Sequence, residues 1–100
     1  MPAFQVNVPH GLGQQQAVER LKVFLQKIAE RYKDQVSRME GNWVENVLTF
    51  AMTTYGFTIS GQLTVDESSA KLAGQLPFAA MVFKGKIEKS IADELIRELG

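Results

Sequence analysis

The sequence predicts an α+β fold in the order β-α-β-β-β-β-α, an antiparallel sheet with two helices packed on one face. Three observations predict it. Apolar and polar residues alternate at 4–8 and through most of 35–76, the period of a strand with one buried side. Apolar residues recur at three- and four-residue spacing at 14–33 and again towards Leu99, the stripe of an amphipathic helix. The runs between 35 and 76 are joined by short connections, which favours consecutive antiparallel neighbours. A one-faced sheet and striped helices each have an apolar side to cover, and they cover one another.

Taken in order, Phe4, Val6 and Val8 alternate with Gln5 and Asn7, and Pro9-His10-Gly11 ends that strand because proline cannot continue the ladder and glycine permits a sharp turn. Ala17, Val18, Leu21, Phe24, Leu25, Ile28, Ala29 and Tyr32 then mark one helix from about Gln14 to Lys33. A strand over 35–43 puts Met39, Gly41 and Trp43 on a shared face. It leads through a turn at Val44-Glu45-Asn46 into the strand over 47–54. A tighter turn at Gly41-Asn42 is the rival register, and the pattern alone leaves both open. A turn near Tyr55-Gly56 precedes the alternation Phe57, Ile59, Gly61, Leu63, Val65. The polar turn Asp66-Glu67-Ser68-Ser69 precedes Ala70, Leu72, Gly74 and Leu76. Pro77 suits a helix entrance, where its missing N–H costs nothing. The last helix then runs to Leu99 with Phe83, Ile87, Ile91, Leu95 and Leu99 on one stripe. Gly85 inside it signals a kink, a close contact or a break.

The whole chain, 1–100, reads as a single domain. Its 11 Lys+Arg balance 11 Asp+Glu, so it lacks the cationic surplus with which a general nucleic-acid binder displaces counterions. With no cysteine there is no disulfide, thiol nucleophile or thiolate metal site, and a lone His10 excludes paired-His ligation. The start, Met1-Pro2-Ala3-Phe4-Gln5-Val6, has neither a basic nor an apolar leader region, and the apolar run at 76–83 is far below the roughly 20 residues that span a bilayer. The expectation is a cytoplasmic protein without cofactor or membrane span.

Chemistry-bearing constellations are sparse. His10 lies in the turn Val8-Pro9-His10-Gly11-Leu12-Gly13, and the glycines there lack the third member and the βαβ setting of a dinucleotide fingerprint. Asp66 and Glu67 diverge at their turn. Glu88, Asp93, Glu94 and Glu98 are placed opposite the apolar stripe of the last helix, with none forced into an apolar pocket. No serine sits in a nucleophile-elbow pattern. These absences predict a protein that is not an enzyme. Two surfaces remain. One is the entrance to the last helix, where Leu76, Phe78, Met81, Val82 and Phe83 leave no polar stripe and Lys84, Lys86 and Lys89 follow at once. Such a wedge suits an apolar surface bounded by anionic groups. The other is the sheet face opposite the core, Val47, Thr49, Ala51, Thr53, Thr58, Ser60, Gln62, Thr64, Lys71, Ala73 and Gln75. There only Lys71 is charged, which suits solvent or the interface of a homodimer. Phe50, Tyr55, Phe57 and Phe83 read as core.

Several segments carry a likeness: Val8-Pro9-His10-Gly11-Leu12, Ala17-Val18-Glu19-Arg20-Leu21, Leu48-Thr49-Phe50, Tyr55-Gly56-Phe57-Thr58-Ile59-Ser60-Gly61, Leu76-Pro77-Phe78-Ala79-Ala80-Met81 and Phe83-Lys84-Gly85-Lys86-Ile87. Together they resemble, over nearly the whole chain, the polyhydroxyalkanoic acid system (granule-region) family of small bacterial proteins. The resemblance implies a link to intracellular polyester storage, and it brings no catalytic residues with it. It makes the expected partners a polyester granule surface or granule-associated proteins. The element order is also similar to that of helix-grip folds, which implies as an alternative a small apolar ligand held between the sheet and the last helix.

Overall fold

The structure, a computed structural model, describes residues 2–100. Met1, which opens the segment read above for a leader, lies outside the described residues. Strand β1 (Ala3–Pro9) is followed by helices α1 (Gln14–Leu21) and α2 (Phe24–Arg31). Then come β2 (Val36–Val44), β3 (Val47–Thr54), β4 (Phe57–Val65), β5 (Ser69–Gln75), a 3-10 segment (Phe78–Phe83) and α3 (Lys84–Leu99). The sheet order is β1-β5-β4-β3-β2, antiparallel throughout. The α+β architecture and its element order agree with the sequence pattern.

Local details differ. The first helix is broken at Lys22-Val23, although Ala17, Leu21, Phe24 and Ile28 carry one buried stripe across the break. Neither proline nor glycine marks this bend. The register of the β2–β3 hairpin is settled, because Val44 pairs with Val47 across a two-residue turn, Glu45-Asn46, with Glu45 at φ 55°. Gly41 and Asn42 lie inside the strand, opposite Phe50 and Thr49. At the next hairpin Tyr55 and Gly56 both have positive φ, 54° and 80°, the primed turn whose twist matches its strands. The last helix is divided too, its first six residues being 3-10 and α3 starting at Lys84. Gly85 falls in the first turn of α3 with open space around its α-carbon, so it makes no close contact, and the division lies just before it at Phe83.

The inner sheet face and the helices enclose one core, in which Ala17, Leu21, Phe24, Ile59, Leu63, Leu72, Ile91 and Leu95 are essentially sealed. Across its middle the registers align Phe4, Gly74, Gly61, Phe50 and Gly41 in one row. The glycines make room for what lies over them. A Cβ on Gly74 would stand 2.6 Å from the Phe4 ring and 2.6 Å from the Ser60 carbonyl oxygen, and one on Gly41 would overlap Leu25 of α2. The opposite face carries no layer. It is the Thr- and Gln-rich surface read from the sequence, with Arg38 and Glu40 of β2 adding charge that the reading left out.

Strand lengths are unequal in a way that places the candidate site. Gln75, the last residue of β5, pairs with Ser60, so Phe57, Thr58 and Ile59 of β4 extend beyond it with β3. The chain leaves β5 into that notch.

Gly74→Ala is expected to destabilise by about 1–3 kcal/mol, because the Ser60 backbone cannot move aside as a side chain tip would. Gly11→Ala, which meets nothing, should stay within about 0.5 kcal/mol of the wild type. Urea unfolding of both variants checks the contrast.

Candidate functional site

Pro77, in extended conformation (φ −61°, ψ 152°), turns the chain out of the sheet into the 3-10 segment. With three residues per turn, side chains three apart eclipse one another. Ala80 and Phe83 therefore share one face, and it is the inward one. Ala80 is fully buried, and the Phe83 ring stacks on Tyr55 at 4.4 Å and 6°, with Phe57 tilted beside it at 6.2 Å. The other residues face out. Phe78 is 78% exposed, Val82 82% and Met81 41%.

Of the five apolar residues that the sequence singled out, Phe78, Met81 and Val82 thus form an outward lip. Leu76 does not join them. It is fully buried, and its N–H donates to the Pro2 carbonyl at 2.9 Å, so it anchors the strand end rather than meeting anything outside. Phe83 is half-buried in the aromatic stack. Among the lysines, Lys84 is half-buried at the start of α3, while Lys86 and Lys89 are exposed. The Lys89 ammonium lies 2.9 Å from Asp93 Oδ2, and that hydrogen bond and charge hold its pKa above the ordinary lysine value.

His10 has a structural explanation. Its Nδ1 accepts from the Leu12 N–H at 3.2 Å, which leaves Nε2–H to donate to the Asp66 carbonyl at 3.0 Å. The ring thereby ties the β1–α1 turn to the β4–β5 turn. The same two turns meet again where Glu67 Oε2 accepts from the Gln14 N–H at 3.3 Å, so the first turn of α1 receives its carboxylate from within the chain. No group of three potential metal-ligating side chains occurs among the described residues, and no helix among them is long and apolar enough to cross a membrane. Between α2, β3 and α3 lies a cavity of about 30 Å³, lined by Ile28, Tyr32, Met52, Thr54, Tyr55 and Ile87. That is room for a water molecule, about a tenth of the smallest usual ligand pocket.

A model of the family described as "Putative polyhydroxyalkanoic acid system protein (PHA_gran_rgn)" matches residues 4–99. The chain belongs to this family. No curated protein matches it. Among solved structures it is similar to the crystal structure of Ara h 8.0201, at 8% identity and a TM-score of 0.36, over 96% of this chain and 98% of that one. The family's description connects the chain with polyhydroxyalkanoate systems.

The chain also holds a charge cluster that differs from the sequence expectation. Glu94, read as a solvated residue of the polar face, is fully buried where α2 lies against α3. Its Oε1 accepts from Arg31 Nε at 2.8 Å, with Arg97 Nε at 3.9 Å, while its Oε2 is buried without a hydrogen-bond partner. The spacing of α3 does carry a signal, because Glu94 lies seven residues after Ile87 and three after Ile91 and so falls on the apolar stripe, but Arg31, which makes its burial tolerable, is 63 residues away in sequence. One turn on, burial first, and then the neighbouring carboxylate of Glu94, hold the Glu98 carboxyl above its ordinary pKa, against the opposing pull of Lys27 and Arg31. A carboxyl whose pKa is raised on folding stabilises the fold while it is protonated, and that contribution is lost as pH rises through the raised value. Glu98→Gln removes the charge and keeps the shape of the side chain. It should raise the thermal midpoint at about pH 7, and the gain should shrink towards about pH 4, where Glu98 is itself protonated. Calorimetry across that range checks it.

Proposed function

We propose that this protein is a non-catalytic accessory of the storage-polyester system, working in the cytoplasm at the granule surface and meeting it through Phe78, Met81 and Val82. The observation that carries the reading is the outward lip itself. Two of its three large apolar side chains are about four-fifths exposed, on a segment whose neighbours Leu76 and Ala80 are sealed in the core. The lip is presented on a short 3-10 turn fixed at both ends, so little conformational entropy is lost on contact. Taking one such side chain from water into an apolar phase is worth about 1.5–3 kcal/mol. Lys84, Lys86 and Lys89 follow immediately in sequence, and the latter two are exposed to meet anionic groups bounding an apolar surface. A preformed pocket for an apolar small ligand has no counterpart in the 30 Å³ cavity, which favours surface contact over ligand carriage.

Purified polyhydroxyalkanoate particles mixed with the folded protein provide the test. Wild type should partition onto the particles. Phe78→Glu and Val82→Glu, both at highly exposed positions and so harmless to the core, should each lower the partition coefficient about tenfold or more. Wild type that stays wholly in the aqueous phase ends the granule-contact reading.

A further inference from the structure

The two edges of the sheet are treated differently. Along β1 the free edge is closed off. The Gln5 N–H, which points away from β5, donates to Glu88 Oε2 of α3 at 3.4 Å, Pro9 four residues on has no N–H to offer, and α3 lies along the strand. Along β2, α2 packs on the inner face with Leu25 over Gly41, but among the described residues no side chain bonds the edge, and the one irregularity is a slip of register between Val36 and Arg38. From Arg38 to Val44 the strand is regular. The turn closes on the Val44–Val47 pair, so alternation directs the backbone groups of Asn42 and Glu40 to β3 and those of Met39, Gly41 and Trp43 to the open edge. That edge contains no proline, and both its inward side chains, Met39 and Trp43, are only half-buried.

We propose that the β2 edge pairs with the β2 edge of a second copy of this chain, antiparallel, with the two-fold axis at Gly41. The side chains are complementary in this register. With Gly41 opposite its own copy, Met39 faces Trp43 of the second chain on the helix side, and Glu40 faces Asn42 on the open side, a carboxylate against an amide donor. Each pair occurs twice. Arg38 faces Val44, with the carboxylate of Glu45 one residue beyond. A shift that sets Met39 against Gly41 sets Glu40 against Glu40, a like-charge clash, and one centred on Met39 draws the irregular residues 36–38 into the pairing. The result is a continuous ten-stranded sheet with both helical layers on one side. The contact is independent of the lip at Phe78, Met81 and Val82, so either reading stands or falls alone.

The full chain should sediment at twice its monomer mass at tens of micromolar and dissociate on dilution. Hydrogen exchange should show the Met39, Gly41 and Trp43 amides slowing as concentration rises. Asn42 is exposed and tests the register. Asn42→Asp places two like-charge pairs across the axis and should weaken the dimer about tenfold or more, whereas Asn42→Lys faces Glu40 and should tighten it. Opposite signs at one surface position are not what general destabilisation produces. A chain still monomeric at several hundred micromolar (about ten times the working range), a dimer whose Met39, Gly41 and Trp43 amides exchange at a concentration-independent rate, or equal effects of the two substitutions would each overturn the proposal.

Discussion

The segment between the last strand and the last helix is held at three points, and those points decide what the protein shows to its surroundings. Leu76 is fixed by burial and by its hydrogen bond to Pro2, Ala80 by burial, and Phe83 by its stack on Tyr55. The β3–β4 hairpin runs past the end of β5, so the chain leaving the sheet must lie in the notch and reach the turn at Tyr55-Gly56 before α3 can cover the core. Between Ala80 and Phe83 a spacing of three residues is one full 3-10 turn, which sets the two side chains in line, whereas an α-helical turn would offset them by about a sixth of a circle. That same period sends Phe78 and Met81 out along one line and Val82 along another. Exposure of the lip follows from how its neighbours are anchored.

Charge along α3 runs against the helix dipole, with lysines in the first turns and carboxylates towards the end. Local pairing offsets it. Lys89 is bonded to Asp93 one turn on, and Glu94 is met by Arg31 from α2 and Arg97 from its own helix. The Glu94 pairing also orients the helical layer, because a fully buried carboxylate tolerates few positions for α2. Its cost remains visible in the unpartnered Oε2 and in the raised pKa of Glu98. Only the carboxylate is buried, since Arg31 keeps 41% of its side chain exposed, so the pairing offsets the cost of burying Glu94.

Much of this architecture was legible because strands advertise themselves by alternation. Phe4, Val6 and Val8, or Ile59, Leu63 and Val65, point inward in the structure as their spacing demands. The features that escaped have physical reasons. Over six residues a period of 3.0 and one of 3.6 differ by barely a third of a turn, so residues 78–83 look α-helical when read with the stripe that follows them. The bend at Lys22-Val23 carries no proline or glycine, and its apolar stripe runs straight through. Glu94 was placed outside because charge type is the usual guide to exposure, and the partner that makes its burial tolerable is supplied by tertiary structure alone. At the lip, sequence marked the right stretch but could not separate Leu76 and Phe83 from Phe78, Met81 and Val82. That separation depends on the notch left by β5.

Isolated exposed apolar residues are ordinary, and this protein has them in Val44 and Ile96, on unrelated elements. The lip is different in kind. Phe78, Met81 and Val82 share one short turn, and Phe78 and Val82 are so exposed that the packing there falls to their inward neighbours Ala80 and Phe83. A polar 3-10 connector with the same buried Ala80 and stacked Phe83 would fold as well and dissolve better. Apolar side chains left exposed at Phe78 and Val82 are what the proposed contact with an external apolar surface would account for.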